Sequence, residues 1–424
     1  MRILALSLAD DSRRFIRGMP PKGARIFLNP DLEIAGLMTR FGPRHFHYED
    51  EKVEPLNLSV PFDAALVSGD FWQEPRIREV TQDVHRRDKP VILFGPLATT
   101  FPEEFTSVVD SVVVGSILNA WPKVEQDLRA ASLQSLYRAS KEPSYAPPNL
   151  DHTLKPNYDP TFQCMRATIG CNCPESVRPY CRQYLYFGSN LRSRSIEELI
   201  GEVIELRRKH IFLIDDDVAA DPAYYGEFFT RARRYQREWT VWAGDSVLGK
   251  ADYLRLLAKA GVRVLYLNES WLSQERLLTA VHNPVMLRQL RTGVRLLHQQ
   301  RLLVGSRVAL YRRPGEEFDF ASISQVIKSL NIDFLRVRFF EPSRGSQFGG
   351  NKVPAHQQAF VTYQPGLTPN RETWLKHEFY DMGSILTRGL RRPVRVGFYS
   401  TFRYYFPRSF AYRQNFLEGI AYPP

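Results

Sequence analysis

Along residues 1–135 short apolar runs alternate with stretches of helical periodicity. The runs are "RILALSL" (2–8), "RHFHYE" (44–49), "AALVSG" (64–69), "PVILFG" (90–95) and "SVVVG" (111–115). Between them, segments such as "EPRIREVTQDVHRRD" (74–88) repeat apolar residues at helical spacing. Strand and helix in alternation, about five times over, predict a parallel sheet with helices on both faces. Ligands of such sheets bind beyond the carboxyl ends of the strands. Those ends carry "SGD" (68–70), "GPLATT" (95–100) and "GSILNAW" (115–121). No G-x-G-x-x-G is present, so a dinucleotide site is not expected.

A second series begins after "ASKEPSYAPPNLDHTLKPNYDP" (139–160), which is rich in proline and polar residues and reads as a linker. Its strands are "QCMRATIG" (163–170), "HIFLID" (210–215), "WTVWAG" (239–244), "VRVLYLN" (262–268), "LVGSRVALY" (303–311) and "DFLRVRFF" (333–340). Helices such as "SIEELIGEVIELRRK" (195–209) and "KADYLRLLAKAG" (250–261) lie between them. Ser195 followed by Glu198 is a capping box. Six such repeats predict a (β/α)6-type partial barrel, with its chemistry at the carboxyl ends of the strands. The expected organisation is an α/β chain: a doubly wound sheet over 1–138, a linker over 139–160, a partial barrel over 161–350, and a basic, aromatic C-terminal extension over 351–424.

Composition narrows the classes. With 424 residues, 43% of them hydrophobic, sizeable cores are affordable. No run approaches the roughly 20 apolar residues of a membrane helix. The opening "MRILALSLADDSRRF" is charged too early for a signal peptide. A cytoplasmic location without a membrane span is expected. The net charge of +11 suits an anionic partner. Only the tail "FRYYFPRSFAYR" (402–413) interleaves aromatics with arginines as a single-strand binder does, and nucleic acid is not the expected partner.

All four cysteines, Cys164, Cys171, Cys173 and Cys181, fall in residues 164–181. In a reducing compartment such a cluster reads as metal ligands or redox groups. Three thiolates on a cubane iron–sulfur cluster leave one iron open to a substrate. Seven residues of extended strand span about 23 Å, so a strand over 163–170 would carry Cys164 away from the other three. Zinc fits less well, because its usual paired C-x2–4-C spacing is replaced here by C-x-C-x7-C. Asp215, Asp216, Asp217 and Asp221 raise a magnesium site, but they end a strand, where phosphate chemistry usually sets D-D-x-x-D on a helix.

These motifs, in this order over roughly residues 1–350, resemble radical S-adenosylmethionine (SAM) enzymes carrying an N-terminal cobalamin (B12)-binding-type, flavodoxin-like domain. The resemblance rests on "IGC" (169–171), "YC" (180–181), "RSRS" (192–195) and "IFLIDDD" (211–217). It continues through "AGVRVLYLNES" (260–270), "GSRVALYRRPGEEFDF" (305–320) and "FFEPSRGSQF" (339–348). In the first domain "KPVILFGPLATTFPEEF" (89–105) and "DSVVVGSILNAWPKVEQDL" (110–128) are similar to that family's segments. Three departures stand out. Glu175 stands where the family has its middle cysteine, and Cys171 and Cys181 are ten residues apart instead of seven. The D-x-H-x-x-G that supplies a cobalt-ligating histidine is absent from "ADDSRRFIRG" (9–18). Phe94, Leu97 and Ser116 replace a glycine, a histidine and a glutamate of the family's pattern.

The resemblance implies a [4Fe-4S] cluster on Cys171 and Cys181, with Cys173 in place of the missing cysteine. It implies SAM contacts from Tyr180, Asp216 and Glu269, and cobalamin contacts, where that cofactor is bound, from Ser68, Gly95, Thr99 and Gly115. The implied activity is reductive cleavage of SAM to a 5′-deoxyadenosyl radical, with methyl transfer to an unactivated carbon where cobalamin takes part. The implied partners are a small-molecule or peptide substrate and an electron donor such as a ferredoxin or flavodoxin. The alternatives are a cluster-less binding or scaffold protein of the same fold, and an RNA-modifying radical SAM enzyme.

Overall fold

The computed structural model describes residues 1–8, 31–51, 54–69, 73–153, 162–171, 182–189, 191–268, 271–311 and 320–340. The chain divides into two units. One holds Met1–Pro160 with Cys164–Arg194, and the other holds Thr161–Gln163 with Ser195–Pro423. The expected C-terminal extension, 351–424, lies outside the described residues.

In the first unit six parallel strands, β1 (Ile3–Ser7), β2 (Phe46–Asp50), β3 (Ala64–Ser68), β4 (Val91–Phe94), β5 (Ser111–Val114) and β6 (Leu136–Arg138), line up as β2-β1-β3-β4-β5-β6. Every residue of β1 and β3 is buried. A strand covered on both faces reads as an unbroken apolar run, which is why these strands are visible in the sequence. Alternate residues feed opposite cores. Ile3, Ala5, Phe46, Leu66 and Phe94 pack with Ile34 and Leu37 of the helix Leu32–Phe41 and with Trp121 and Val124 of the helix Ile117–Arg129. Leu4, Leu6, Val67, Val91 and Leu93 pack with Ile77, Val80 and Val84 of the helix Glu74–His85. Trp121, 1% exposed, lies 5.4 Å from the Phe46 ring. Burying a side chain of this kind contributes about 1.5–3 kcal/mol.

β6 is not announced by the sequence. It is three residues long, and only Tyr137 of it is buried. Two things hold it: pairing of Leu136, Tyr137 and Arg138 with Val112, Val113 and Val114, and a hydrogen bond of 3.0 Å from the Tyr137 hydroxyl to Asp127. Residues 139–153, expected to be part of a linker, lie against the helices Leu32–Phe41 and Ile117–Arg129 of this unit. Asn119 donates from Nδ2 to the carbonyls of Ser140 (2.9 Å) and Glu142 (2.8 Å). Arg40 donates to Ser144 Oγ at 2.9 Å, and Asn149 N donates to Thr39 Oγ1 at 3.0 Å. Ala146 is buried over Gly36, where a Cβ would come 2.9 Å from the Ala146 carbonyl oxygen.

In the second unit β10 (His210–Leu213), β11 (Glu238–Ala243), β12 (Val262–Leu267), β13 (Leu303–Tyr311) and β14 (Phe334–Phe340) pair in parallel. The sheet order is β14-β13-β12-β11-β10-β7, with β7 (Phe162–Met165) at the edge. This is the strand-and-helix succession of a partial (β/α)6 barrel. Trp239 packs on Phe228 (5.4 Å) and Phe229 (5.5 Å) of the helix Pro222–Ala232. Three residues further along β11, Trp242 stacks on Tyr266 at 4.7 Å. The capping box forms as its spacing predicts: Ser195 Oγ accepts from Glu198 N (3.2 Å) and Glu198 Oε2 accepts from Ser195 N (2.9 Å).

One predicted strand is corrected. The run 163–170 is not continuous: β7 ends at Met165, and β8 (Thr168–Ile169) pairs antiparallel with β9 (Arg192–Ser193). The cause lies in Arg194, whose Nη1 donates to the Arg166 carbonyl (2.8 Å) and whose backbone N donates to the Ala167 carbonyl (3.0 Å). These bonds use backbone acceptors that a longer β7 would have needed. Among the described residues, no helix is long and apolar enough to cross a membrane.

Candidate functional site

The carboxyl edge of the first sheet brings together the four residues expected to meet cobalamin. Ser68 ends β3 and is buried. Gly69 N donates to the Phe94 carbonyl at 2.8 Å, and Leu97 N donates to the Gly69 carbonyl at 3.1 Å. Gly95 has φ +109°, and a Cβ there would come 2.6 Å from the Gly69 oxygen. Glycine is therefore required at 95 by a neighbouring loop of the same chain. Thr99 Oγ1 accepts from Gly115 N at 3.0 Å, and Gly115 has φ +92°. Phe94 points into the apolar core and leaves this edge clear of its ring. The four residues thus meet, but the polar groups of Thr99 and Gly115 and the space at Gly95 are used within the protein. Arranged this way, they do not fit a corrin.

The cysteine segment belongs to the same unit. Cys171 is buried and follows Gly170, whose φ of +97° turns the chain after β8. Gly170 N donates to Gln183 Oε1 at 3.3 Å, which joins the two ends of the loop that begins at Cys171 and ends at the helix Arg182–Phe187. Cys173, Tyr180 and Cys181 lie on that loop, outside the described residues. Cys164 is 1% exposed, and burial pushes its thiol up to about 12 against the weaker opposing effect of Arg166. Among the described residues no group of three or more histidine, cysteine or carboxylate side chains is placed to hold a metal ion.

Arg194, in the "RSRS" segment, lays its guanidinium over the Tyr145 ring at 4.4 Å while it bonds the Arg166 carbonyl. Gln183 and Tyr145 carry no sequence signal, because their roles arise only when segments distant in the chain meet.

At the carboxyl edge of the second sheet the aspartates following β10 divide by role. Asp215 is buried and accepts from the Tyr225 hydroxyl at 3.1 Å. Asp217 Oδ1 accepts from Gly244 N (2.8 Å) and Ala219 N (2.7 Å). Asp221 caps the helix Pro222–Ala232 by accepting from Tyr224 N at 3.0 Å. Asp216, like Asp221, is exposed. Gly244 at the end of β11 carries no signal in the sequence. A Cβ there would lie 2.7 Å from Asp217 Oδ2 and 3.4 Å from Asn268 Nδ2, so three strand ends converge on it. Burial, reinforced by Asp217 and Asp221, raises the Tyr253 phenol above its ordinary value; its hydroxyl donates to the Val218 carbonyl at 2.6 Å. Glu269 lies outside the described residues.

No protein-family model matches the chain, and no curated protein does. Solved structures do. One is the radical S-adenosylmethionine methyltransferase TsrM from Kitasatospora setae, with cobalamin and a [4Fe-4S] cluster bound. It shares 13% identity at a TM-score of 0.52, over 80% of this chain and 75% of that one. Another is the cobalamin-dependent S-adenosylmethionine radical enzyme OxsB with aqua-cobalamin bound. It shares 11% identity at a TM-score of 0.55, over 85% of this chain. The match spans 55% of the OxsB chain, about half its length. At these identities the likeness is one of fold: this chain has the architecture of cobalamin-dependent radical SAM enzymes.

Proposed function

We propose that the protein is a radical SAM enzyme whose [4Fe-4S] cluster is held by Cys171, Cys173 and Cys181. The observation that carries this reading is the Gly170–Gln183 hydrogen bond, which draws together the ends of the one loop containing three of the four cysteines. The architecture shared with TsrM and OxsB supports it. When bound, a reduced cluster with one open iron supplies the electron that cleaves SAM to methionine and a 5′-deoxyadenosyl radical.

The chain's own residues have separate tasks in this reading. Three thiolates bind the cluster. Tyr180 packs on the adenine. Asp216 and Glu269 meet the polar groups of SAM from the strand ends. Asp217 holds the backbone of Gly244 at the end of β11. Cobalamin has no part in it, because Gly95, Thr99 and Gly115 at that edge are engaged internally. The substrate is a small molecule or peptide, and a ferredoxin or flavodoxin supplies the electron.

Anaerobic reconstitution tests the proposal. About four irons per chain, the cubane stoichiometry, together with 5′-deoxyadenosine formation from SAM and a strong reductant, is the expected result. Stoichiometric zinc with no iron uptake would overturn it in favour of a cluster-less protein of this fold.

A further inference from the structure

In sheets of the order seen in the first unit, the carboxyl ends of the strands are where ligands sit. In this chain the ends of β4 and β5 are met by another part of the protein. The helix Arg182–Phe187 packs against the short helix Pro96–Thr100 that follows β4. A side chain on Gly115, at the end of β5, would meet the Tyr186 carbonyl oxygen at 3.9 Å and Ala139 Cβ at 3.1 Å. Tyr186 (2% exposed) and Phe187 (5%) form a small apolar cluster with Ile169, Leu185 and Tyr145. Their rings meet edge to face at 6.1 Å.

The strap 139–146 completes the arrangement. Asn119, on a helix of the first sheet, grips the strap through the Ser140 and Glu142 carbonyls. The strap then presents Lys141 beside Gly188 and Tyr145 beneath Arg194. Arg194 in turn fixes the backbone leading to Cys171. Each of these contacts lies within the unit that groups Cys164–Arg194 with Met1–Pro160.

We infer that the β4–β5 half of this edge is the seat of the cysteine segment and not a corrin cradle, with Asn119, Tyr145 and Arg194 as its positioning residues. A domain of cofactor-binding architecture is thereby used to hold a loop. The inference stands whether or not that loop holds a cluster, because it concerns the helix and strap alone.

Hydrogen–deuterium exchange on the full chain tests it. In Asn119→Ala and in Tyr145→Ala, amides 184–189 should exchange about tenfold faster, the effect of losing one or two hydrogen bonds or a ring contact. Amides 3–7 and 64–68 should be unchanged, showing that the sheet stays folded. Unchanged exchange at 184–189 in both variants overturns the inference. A second measurement uses the unaltered protein with excess hydroxocobalamin. Exchange at 97–100, 115–119 and 184–189 should not respond. Protection at 97–100 and 115–119 with release of 184–189 would mean that a corrin displaces the helix, which also overturns it.

Discussion

Gly170 N and Gln183 Oε1 lie 3.3 Å apart, so a hydrogen bond joins the two ends of the cysteine-bearing loop. The bond spans a break in regular structure, between a positive-φ glycine after β8 and the first turn of a short helix. Tying the ends of a loop removes part of the chain entropy of gathering its thiols.

Gln183→Ala should therefore weaken metal uptake without unfolding the protein. One hydrogen bond of this kind contributes about 0.5–1.5 kcal/mol to stability, so the melting temperature should move by only a few degrees. Iron retained under a competing chelator should fall several-fold. Full retention would mean that the closure does not gather the cysteines.

The cysteines should also separate by reactivity. With its thiol pushed up to about 12, Cys164 has on the order of one thiolate in ten thousand at pH 8. Native protein treated with iodoacetamide should leave Cys164 unlabelled by mass spectrometry until denaturant is added. Cys164→Ala should keep the iron that Cys181→Ala loses. Equal iron loss in the two variants would make Cys164 a ligand.

The parts of the fold legible in the sequence are those whose cause is local. β1 and β3 are apolar up to their closing serines because both their faces are covered, and the capping box at Ser195 needs only its own four residues. β6 has no signature in the sequence because its stability comes from Asp127 and from the edge of β5, not from its own three residues. The run 163–170 looks like one strand, and what divides it is Arg194, more than twenty positions later. At the candidate site the residue types were readable and their division of labour was not. Nothing in "DDD" says that Asp215 answers to Tyr225 and Asp217 to Gly244.

Glu238 gives a pH signature. Burial works to raise its carboxyl, but His210 Nδ1 at 3.0 Å and Lys209 Nζ at 2.8 Å outweigh that and hold it at about 2, below its ordinary 4.5. A carboxylate depressed on folding contributes stability that is full above about pH 4.5 and is lost as pH falls toward 2. Lys209 is largely exposed, so screening reduces the contribution to about 1–3 kcal/mol. Glu238→Gln should melt several degrees below the parent at pH 7, and the gap should close between pH 5 and pH 2. A constant gap over that range would place the effect in packing and not in charge.

Gly244 and Asp217 should behave as a coupled pair. Gly244 has φ −69°, so an alanine there incurs no backbone penalty. The obstacle is steric: its Cβ would lie 2.7 Å from Asp217 Oδ2. Gly244→Ala should therefore destabilise by about 1–3 kcal/mol, the usual range for overpacking, and should push Asp217 off the Gly244 and Ala219 amides. Asp217→Ala alone loses those two bonds, at 2.8 and 2.7 Å, and leaves their donors without the carboxylate. In the double variant the clashing oxygen is already gone, so alanine at 244 should add less than it does alone. Denaturant unfolding of the four proteins in the cycle measures this directly, and non-additivity of 0.5 kcal/mol or more, roughly the threshold for residues in contact, is the expected result. Strict additivity would mean that the cost at 244 arises from a neighbour other than Asp217, with Asn268, 3.4 Å from the same Cβ position, as the residue to vary next.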